Sequence, residues 1–271
     1  MSFRTLLASL LAVLVLQPVS ASAARLLGAG WQGNLFEVDP TTGDTVPIPR
    51  GPATTFGLAG LAYDVGSDRL FGMNLALGGL TEIDPQTGDV TLVGQFSSFV
   101  PVGLAFDPVG EVLYSIDLST DVFSSTTSQL IQVDPATGAG TAIATIPSRQ
   151  IRSLVFDEST GLLIGTDWLN QALVAIDPTT GVDTVIGIHG QSELRGLTFD
   201  PQDGTLFGVN PFTNELLTVD PTTGGTQFVG TLEAGADPIG VLEFVPEPAS
   251  LPLVSLGLAA LCASRGRRRA R

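Results

Sequence analysis

One phrase occurs five times along the chain: LFEVDPTTG, LTEIDPQTG, LIQVDPATG, LVAIDPTTG and LLTVDPTTG. Its aspartates, Asp39, Asp84, Asp134, Asp177 and Asp220, stand 45, 50, 43 and 43 residues apart. A second phrase alternates with it: GLAYDVGSDRLFGMN, GLAFDPVGEVLYSID, SLVFDESTGLLIGTD and GLTFDPQDGTLFGVN. A period of this size marks stacked or radially arranged units, none of which can bury its apolar face alone.

Each phrase reads as a hairpin. Alternating apolar residues run into Asp-Pro, a few turn residues and Gly, and a second β-rich run follows. Pro presets φ, Asp bonds nearby backbone N–H groups, and Gly takes the positive φ. Every repeat therefore supplies four strands, A to D. In one repeat they are Leu104 to Phe106, Val112 to Ile116, Leu130 to Val133 and Thr141 to Ala144. Four strands per unit predicts an all-β, five-bladed propeller. The mature chain starts on a B strand near Arg25 and ends on an A strand, Val241 to Phe244, so the last strand is expected to complete the first blade. A stacked solenoid would not need a repeat split between the two ends. The repeats resemble secreted bacterial propeller-like proteins. The WD40 family is not matched, because no WD dipeptide is present.

Sameness among the repeats serves the fold, so differences point to function. A–B and C–D turns belong to one face of a propeller, and B–C and D–A loops to the other. On the second face strand B ends in Gly30, Asn74, Asp117, Asp167 and Asn210. The two tryptophans, Trp31 and Trp168, hold the same next position, and Pro211-Phe212 follows Asn210. Just before strand A stand Ala59, Val102, Arg152, Arg195 and, in a looser alignment, Gly240; His189 and Glu193 precede Arg195 in its loop. Trp31, Trp168, Arg152, Arg195, Asp117, Asp167, Asn74 and Asn210 are the expected ligand-binding set. Indole faces beside amide, carboxylate and guanidinium groups suit sugar recognition. The alternative is structural: the arginines pair with Asp117 and Asp167, and the tryptophans cap blades.

Charge and cysteine content narrow the chemistry. Between Arg25 and Val245 lie six Arg and 26 of the 27 acids, with no Lys. That balance argues against nucleic acid, whose partners carry a basic footprint. The only cysteine, Cys262, and the only histidine, His189, cannot build a Cys- or His-rich zinc site. No EF-hand or nonapeptide calcium spacing occurs. An all-oxygen Ca2+ site needs no motif, so one bound ion is left open. There is no G-x-S-x-G elbow, and no catalytic residues are assigned. A pair of carboxylates, Asp117 and Asp167, keeps a propeller hydrolase or lyase acting on extracellular carbohydrate as the alternative to a non-catalytic binding protein.

The two ends read as addresses. Residues 1–24 carry one Arg, the apolar stretch Leu6 to Leu16 and small residues around Ala23 and Ala24, the pattern of a signal peptide. Residues 25–245 form the propeller. Residues 246–271 hold a short apolar run, Ala249 to Ala263, expected as a short membrane helix. Five of the twelve arginines follow it: Arg265, Arg267, Arg268, Arg269 and Arg271. They hold that end in the cytoplasm. Val245-Pro246-Glu247-Pro248, the apolar run and the Arg cluster together resemble the PEP-CTERM sorting signal. That resemblance covers about a tenth of the chain. It implies an exosortase as processing partner, an inner-membrane intermediate, and delivery to the surface or exopolysaccharide matrix of a Gram-negative bacterium. Contact with membrane would run through the C-terminal segment only.

Overall fold

The computed structural model describes residues 24–49, 57–96, 101–118 and 126–247. The compact unit Ala24–Pro246 is built of five four-stranded antiparallel sheets. Blade 1 contains β1 (Ala24–Gly30), β2 (Leu35–Val38), β3 (Thr45–Pro47) and β20 (Ile239–Pro246), in the order β20-β1-β2-β3. Blade 2 runs β4 (Leu58–Asp64), β5 (Arg69–Asn74), β6 (Gly79–Ile83), β7 (Val90–Gln95). Blade 3 runs β8 (Pro101–Asp107), β9 (Val112–Asp117), β10 (Thr127–Val133), β11 (Gly140–Pro147). Blade 4 runs β12 (Ile151–Asp157), β13 (Leu162–Asp167), β14 (Ala172–Ile176), β15 (Asp183–Ile188). Blade 5 runs β16 (Arg195–Phe199), β17 (Leu206–Asn210), β18 (Glu215–Val219), β19 (Thr226–Thr231). This is a five-bladed β-propeller.

The repeated phrase does its work in the turns between third and fourth strands. In each, the Gly N–H donates to the carbonyl of the Asp four residues earlier at 2.8 Å, as Gly43 does to Asp39 and Gly224 to Asp220. The Asp carboxylate in turn accepts from the backbone N–H two residues on, at 2.7–2.8 Å. The hydroxyl and N–H of Thr179 pull the Asp177 carboxyl down to about 2, and Thr222 and Thr223 do the same for Asp220. Asp64, Asp107, Asp157 and Asp200 accept equivalent backbone bonds in the turns between first and second strands. These nine aspartates are local turn devices, as their recurrence predicts.

The third-to-fourth-strand turns also carry the packing between blades. A Cβ on Gly138, at φ 72°, would stand 2.8 Å from Gly94 O of the preceding blade. Gly224 meets Gly187 in the same way, and Gly43 of blade 1 meets Gly230 of blade 5. Only a residue without a side chain permits that approach.

Apolar residues fill five layers, one between each pair of neighbouring blades. Phe71, Met73 and Leu80 of blade 2 pack on Leu113, Ile131 and Val133 of blade 3. Leu26, Phe36 and Val38 of blade 1 pack on Phe207, Val209 and Leu216 of blade 5. β20 pairs with β1 from Ala24↔Pro246 to Gly30↔Ile239. Val245 and Pro246, the first half of the expected sorting motif, are thus strand residues, and Val245 is buried. Pro246 sits at the strand end, where a missing N–H is tolerated. Glu247 is exposed. The expected terminal helices, the signal peptide up to Ala23, Pro248 and the arginines from Arg265 onward lie outside the described residues. Among the described residues there is no helix, and none long and apolar enough to cross a membrane.

Candidate site at the mouth of the central channel

The five innermost strands are β4, β8, β12, β16 and β20, and they carry Gly60, Gly103, Ser153, Gly196 and Gly240 at matching places. Their backbones converge there. A Cβ on Gly60 would stand 2.6 Å from Leu104 N, and one on Gly196 2.9 Å from Leu242 N. Ser153 replaces glycine in blade 4, and its hydroxyl accepts a 3.0 Å bond from Leu197 N of blade 5. All five positions line a cavity of about 240 Å³, together with Trp31, Leu75, Arg152 and Arg195.

Trp31 leaves β1 and rises over the rim. It is 38% exposed and meets Phe212 of blade 5 edge-on, centroids 5.8 Å apart. Gly57 N donates to its carbonyl at 2.8 Å, and its own N–H donates to Pro238 O at 3.2 Å. Leu75 and Phe212 are exposed beside it, so this side of the rim is apolar.

Two arginines line the same cavity. Glu193 is 2% exposed, and its Oε1 receives Nη1 of Arg152 at 3.4 Å and Nε of Arg195. Arg152 is buried, its guanidinium 4.3 Å above the Trp168 ring, with Gln150 Oε1 at 3.4 Å. Burial presses its pKa below the ordinary value, and the attraction of Glu193 works against that. Arg195 is less enclosed. Its Nη atoms make no hydrogen bond among the described residues. Both arginines line the cavity, and the Glu193 carboxylate reaches both. The arginines meet Glu193, rather than Asp117 and Asp167 as the structural alternative anticipates.

The expected binding set divides. Trp31, Arg152 and Arg195 come together in the cavity, with Trp168 beneath Arg152 and half-buried. Asn74, Asp117, Asp167 and Asn210 are buried and do not line it. Asn74 Oδ1 accepts from Leu77 N at 2.9 Å, and Asn210 Oδ1 from Phe212 N at 3.1 Å. Asp167 accepts from Gln150 N and Leu169 N, both at 3.1 Å, and pairs with Arg149, which also holds Asp183 at 2.8 Å. A carboxylate or amide at the end of a second strand points back into the following turn and satisfies its N–H groups. His189 is buried behind the site, where desolvation pushes its pKa down. Its Nδ1 accepts from Gln191 N at 3.1 Å, while Nε2 has no partner among the described residues. Among those residues no group of three or more His, Cys, Asp or Glu is placed to hold a metal ion.

Asp237, which does not line the cavity, is a turn cap that repeat comparison misses. Blade 1 has Gly30 where the other blades carry the turn-capping Asn or Asp. The carboxylate of Asp237 comes in from the loop before β20 and accepts from Gln32 N at 2.6 Å and Asn34 Nδ2 at 2.8 Å. The missing cap at Gly30 is the signal that could have found it.

No protein-family model matches the chain, and no curated protein does. Among solved structures, a chain of the crystal structure of a nidogen/laminin complex aligns over 82% of this chain and 98% of its own. The TM-score is 0.54 and the identity 13%. The two share a fold. At that identity the likeness carries no residue roles.

Proposed function

We propose that the chain is an exported surface or matrix protein that binds polysaccharide at the mouth of the propeller channel, without catalysis. The observation that carries this is the convergence of Trp31, Arg152 and Arg195 on one cavity. Indole offers a large apolar face with a polar edge, suited to the flat face of a sugar ring. The chemistry of the acids favours binding over hydrolysis. Glycosidic cleavage uses two carboxylates flanking the bond. Here Glu193 is held between two arginines, and Asp167 is consumed by its turn. The structural neighbour occurs in a complex with another protein, which is consistent with propellers serving recognition.

Export and sorting belong to the same proposal. The signal peptide delivers the propeller, the C-terminal segment pauses it in the inner membrane, and an exosortase releases it to the surface. Pairing of β20 with β1 ties the last strand of the mature domain to its first, and we take that pairing to close the ring before the tail is removed.

The test is retention of the purified protein on polysaccharide from the producing cell's matrix. Wild type should be retained and Trp31→Ala should elute early, with no new reducing ends formed. Equal retention of both, or release of sugar fragments, would replace this reading.

A further inference from the structure

We infer that the sugar taken at the channel mouth is anionic, a uronate whose carboxylate is received by Arg195 and whose ring lies against Trp31; this rests on the polysaccharide reading above. Three observations lead there.

The first is local charge. The chain as a whole has formal net charge −15, yet the cavity wall presents Arg152 and Arg195 with Glu193 between them. A neutral sugar draws no charge–charge attraction from those arginines. An anion does, and repulsion from the acidic remainder of the surface makes any anion that binds dependent on this one spot.

The second is geometry. Glu193 meets Arg195 through Nε, so Nη1 and Nη2 of this cavity-lining residue are not used by that pair. A guanidinium fork matches a planar carboxylate with parallel hydrogen bonds. Arg152 cannot swing out to serve instead. It is 7% exposed and lies on Trp168 at 4.3 Å, so its part is to set the field and hold Glu193. Glu193 is a positioning residue: being 2% exposed and shared, it fixes the direction of the Arg195 side chain.

The third is size. About 240 Å³ lies below the roughly 300–1,000 Å³ of pockets that enclose drug-sized ligands. One sugar residue fits such a space, with the rest of a chain passing over Leu75 and Phe212. The combination of a single pyranose volume, an indole wall and an open guanidinium fork selects a uronic acid over a neutral hexose.

The experiment titrates the full chain calorimetrically with trigalacturonate and with its carboxyl-reduced neutral trimer. Trigalacturonate should bind about tenfold more tightly in 50 mM salt, the scale of one charge-assisted hydrogen-bonded pair. The preference should shrink in 500 mM salt and vanish in Arg195→Met. Arg195→Lys, which keeps charge but loses the fork, should retain only part of it. Trp31→Ala should weaken both ligands alike. Equal binding of the two trimers by wild type, or a preference that survives Arg195→Met, overturns the anionic assignment while leaving the polysaccharide reading in place. Binding of neither trimer nor matrix polysaccharide by the folded protein overturns both. The salt series on wild type decides the matter even if Arg195→Met fails to fold.

Discussion

The carboxylate of Asp237 occupies the space that a side chain at Gly30 would need. A Cβ built on Gly30 would stand 2.2 Å from Asp237 Cγ. In blades 2, 4 and 5 the cap of this turn comes from Asn74, Asp167 and Asn210 at the end of the second strand; in blade 1 it arrives from more than 200 residues away. The first and last strands of the blade are joined by the same carboxylate that satisfies its turn.

That relationship predicts a double-mutant cycle. Asp237→Gly takes from Gln32 N and the Asn34 amide an acceptor at the edge of the surface, at a cost of about 0.5–1.5 kcal/mol for each lost hydrogen bond. Gly30→Asp alone collides with Asp237 and destabilises as well. Combined, the two substitutions place the cap where the other blades have it. The double variant should melt above the value expected from adding the single losses. Strict additivity in thermal melts would show that the turn does not need the carboxylate.

Removing the last strand should remove most of the domain's stability. Val241, Leu242, Phe244 and Val245 are all buried, and their loss would also bare the edge of β1. At roughly 1.5–3 kcal/mol for each buried side chain, deletion of residues 240–245 approaches the ~5–15 kcal/mol of a whole domain. Calorimetry of the truncated chain should find no cooperative transition near that of the parent. A melt within a few degrees would mean that the ring does not depend on β20.

Two groups should shape stability between pH 4.5 and 6.5 in opposite senses. Glu243 stands where Tyr63, Phe106, Phe156 and Phe199 stand in the other inner strands. Desolvation pushes its carboxyl well above 4.5, against the pull of the Tyr63 N–H. A raised folded pKa gives stability that is complete below 4.5 and lost as pH rises. Glu243→Gln should therefore outlast the parent in denaturant at pH 7 and match it at pH 4. His189 has a folded pKa below the ordinary 6.5, so its contribution is present above 6.5 and lost as pH falls. His189→Asn should flatten the acid side of the curve below 6.5. Unchanged curves in both variants would place the pH dependence elsewhere.

Processing makes a prediction about mass. A surface protein released by an exosortase should lack Arg265 to Arg271, while Val245, buried in β20, should remain. Mass spectrometry of the surface-bound form should find a C-terminus after Val245 and before Arg265. An intact terminus on the mature protein would end the sorting proposal.

The strand plan and the turns were legible because they are local. Asp-Pro, two further residues and Gly close their own hydrogen bonds wherever they stand, so five copies place five turns before any blade meets another. Repeat spacing then fixes four strands per blade. The site was legible in part. Arg152, Arg195 and Trp31 stand at positions that vary among the repeats, and they do line the cavity. Asn74, Asp117, Asp167 and Asn210 looked equivalent in position, yet their side chains are buried. Position along a repeat names the face of the propeller but not whether a side chain at its edge turns outward or satisfies an N–H behind it. Pairing across long distances was hidden for a related reason: Glu193 reaching Arg152, Ser153 beneath Leu197 N, and Asp237 in the place of a side chain at Gly30. Local hydrogen bonds are decided by residues a few positions apart and can be read from sequence. Those three contacts exist only because five blades bring remote backbones within bonding distance, so only the tertiary structure could decide them.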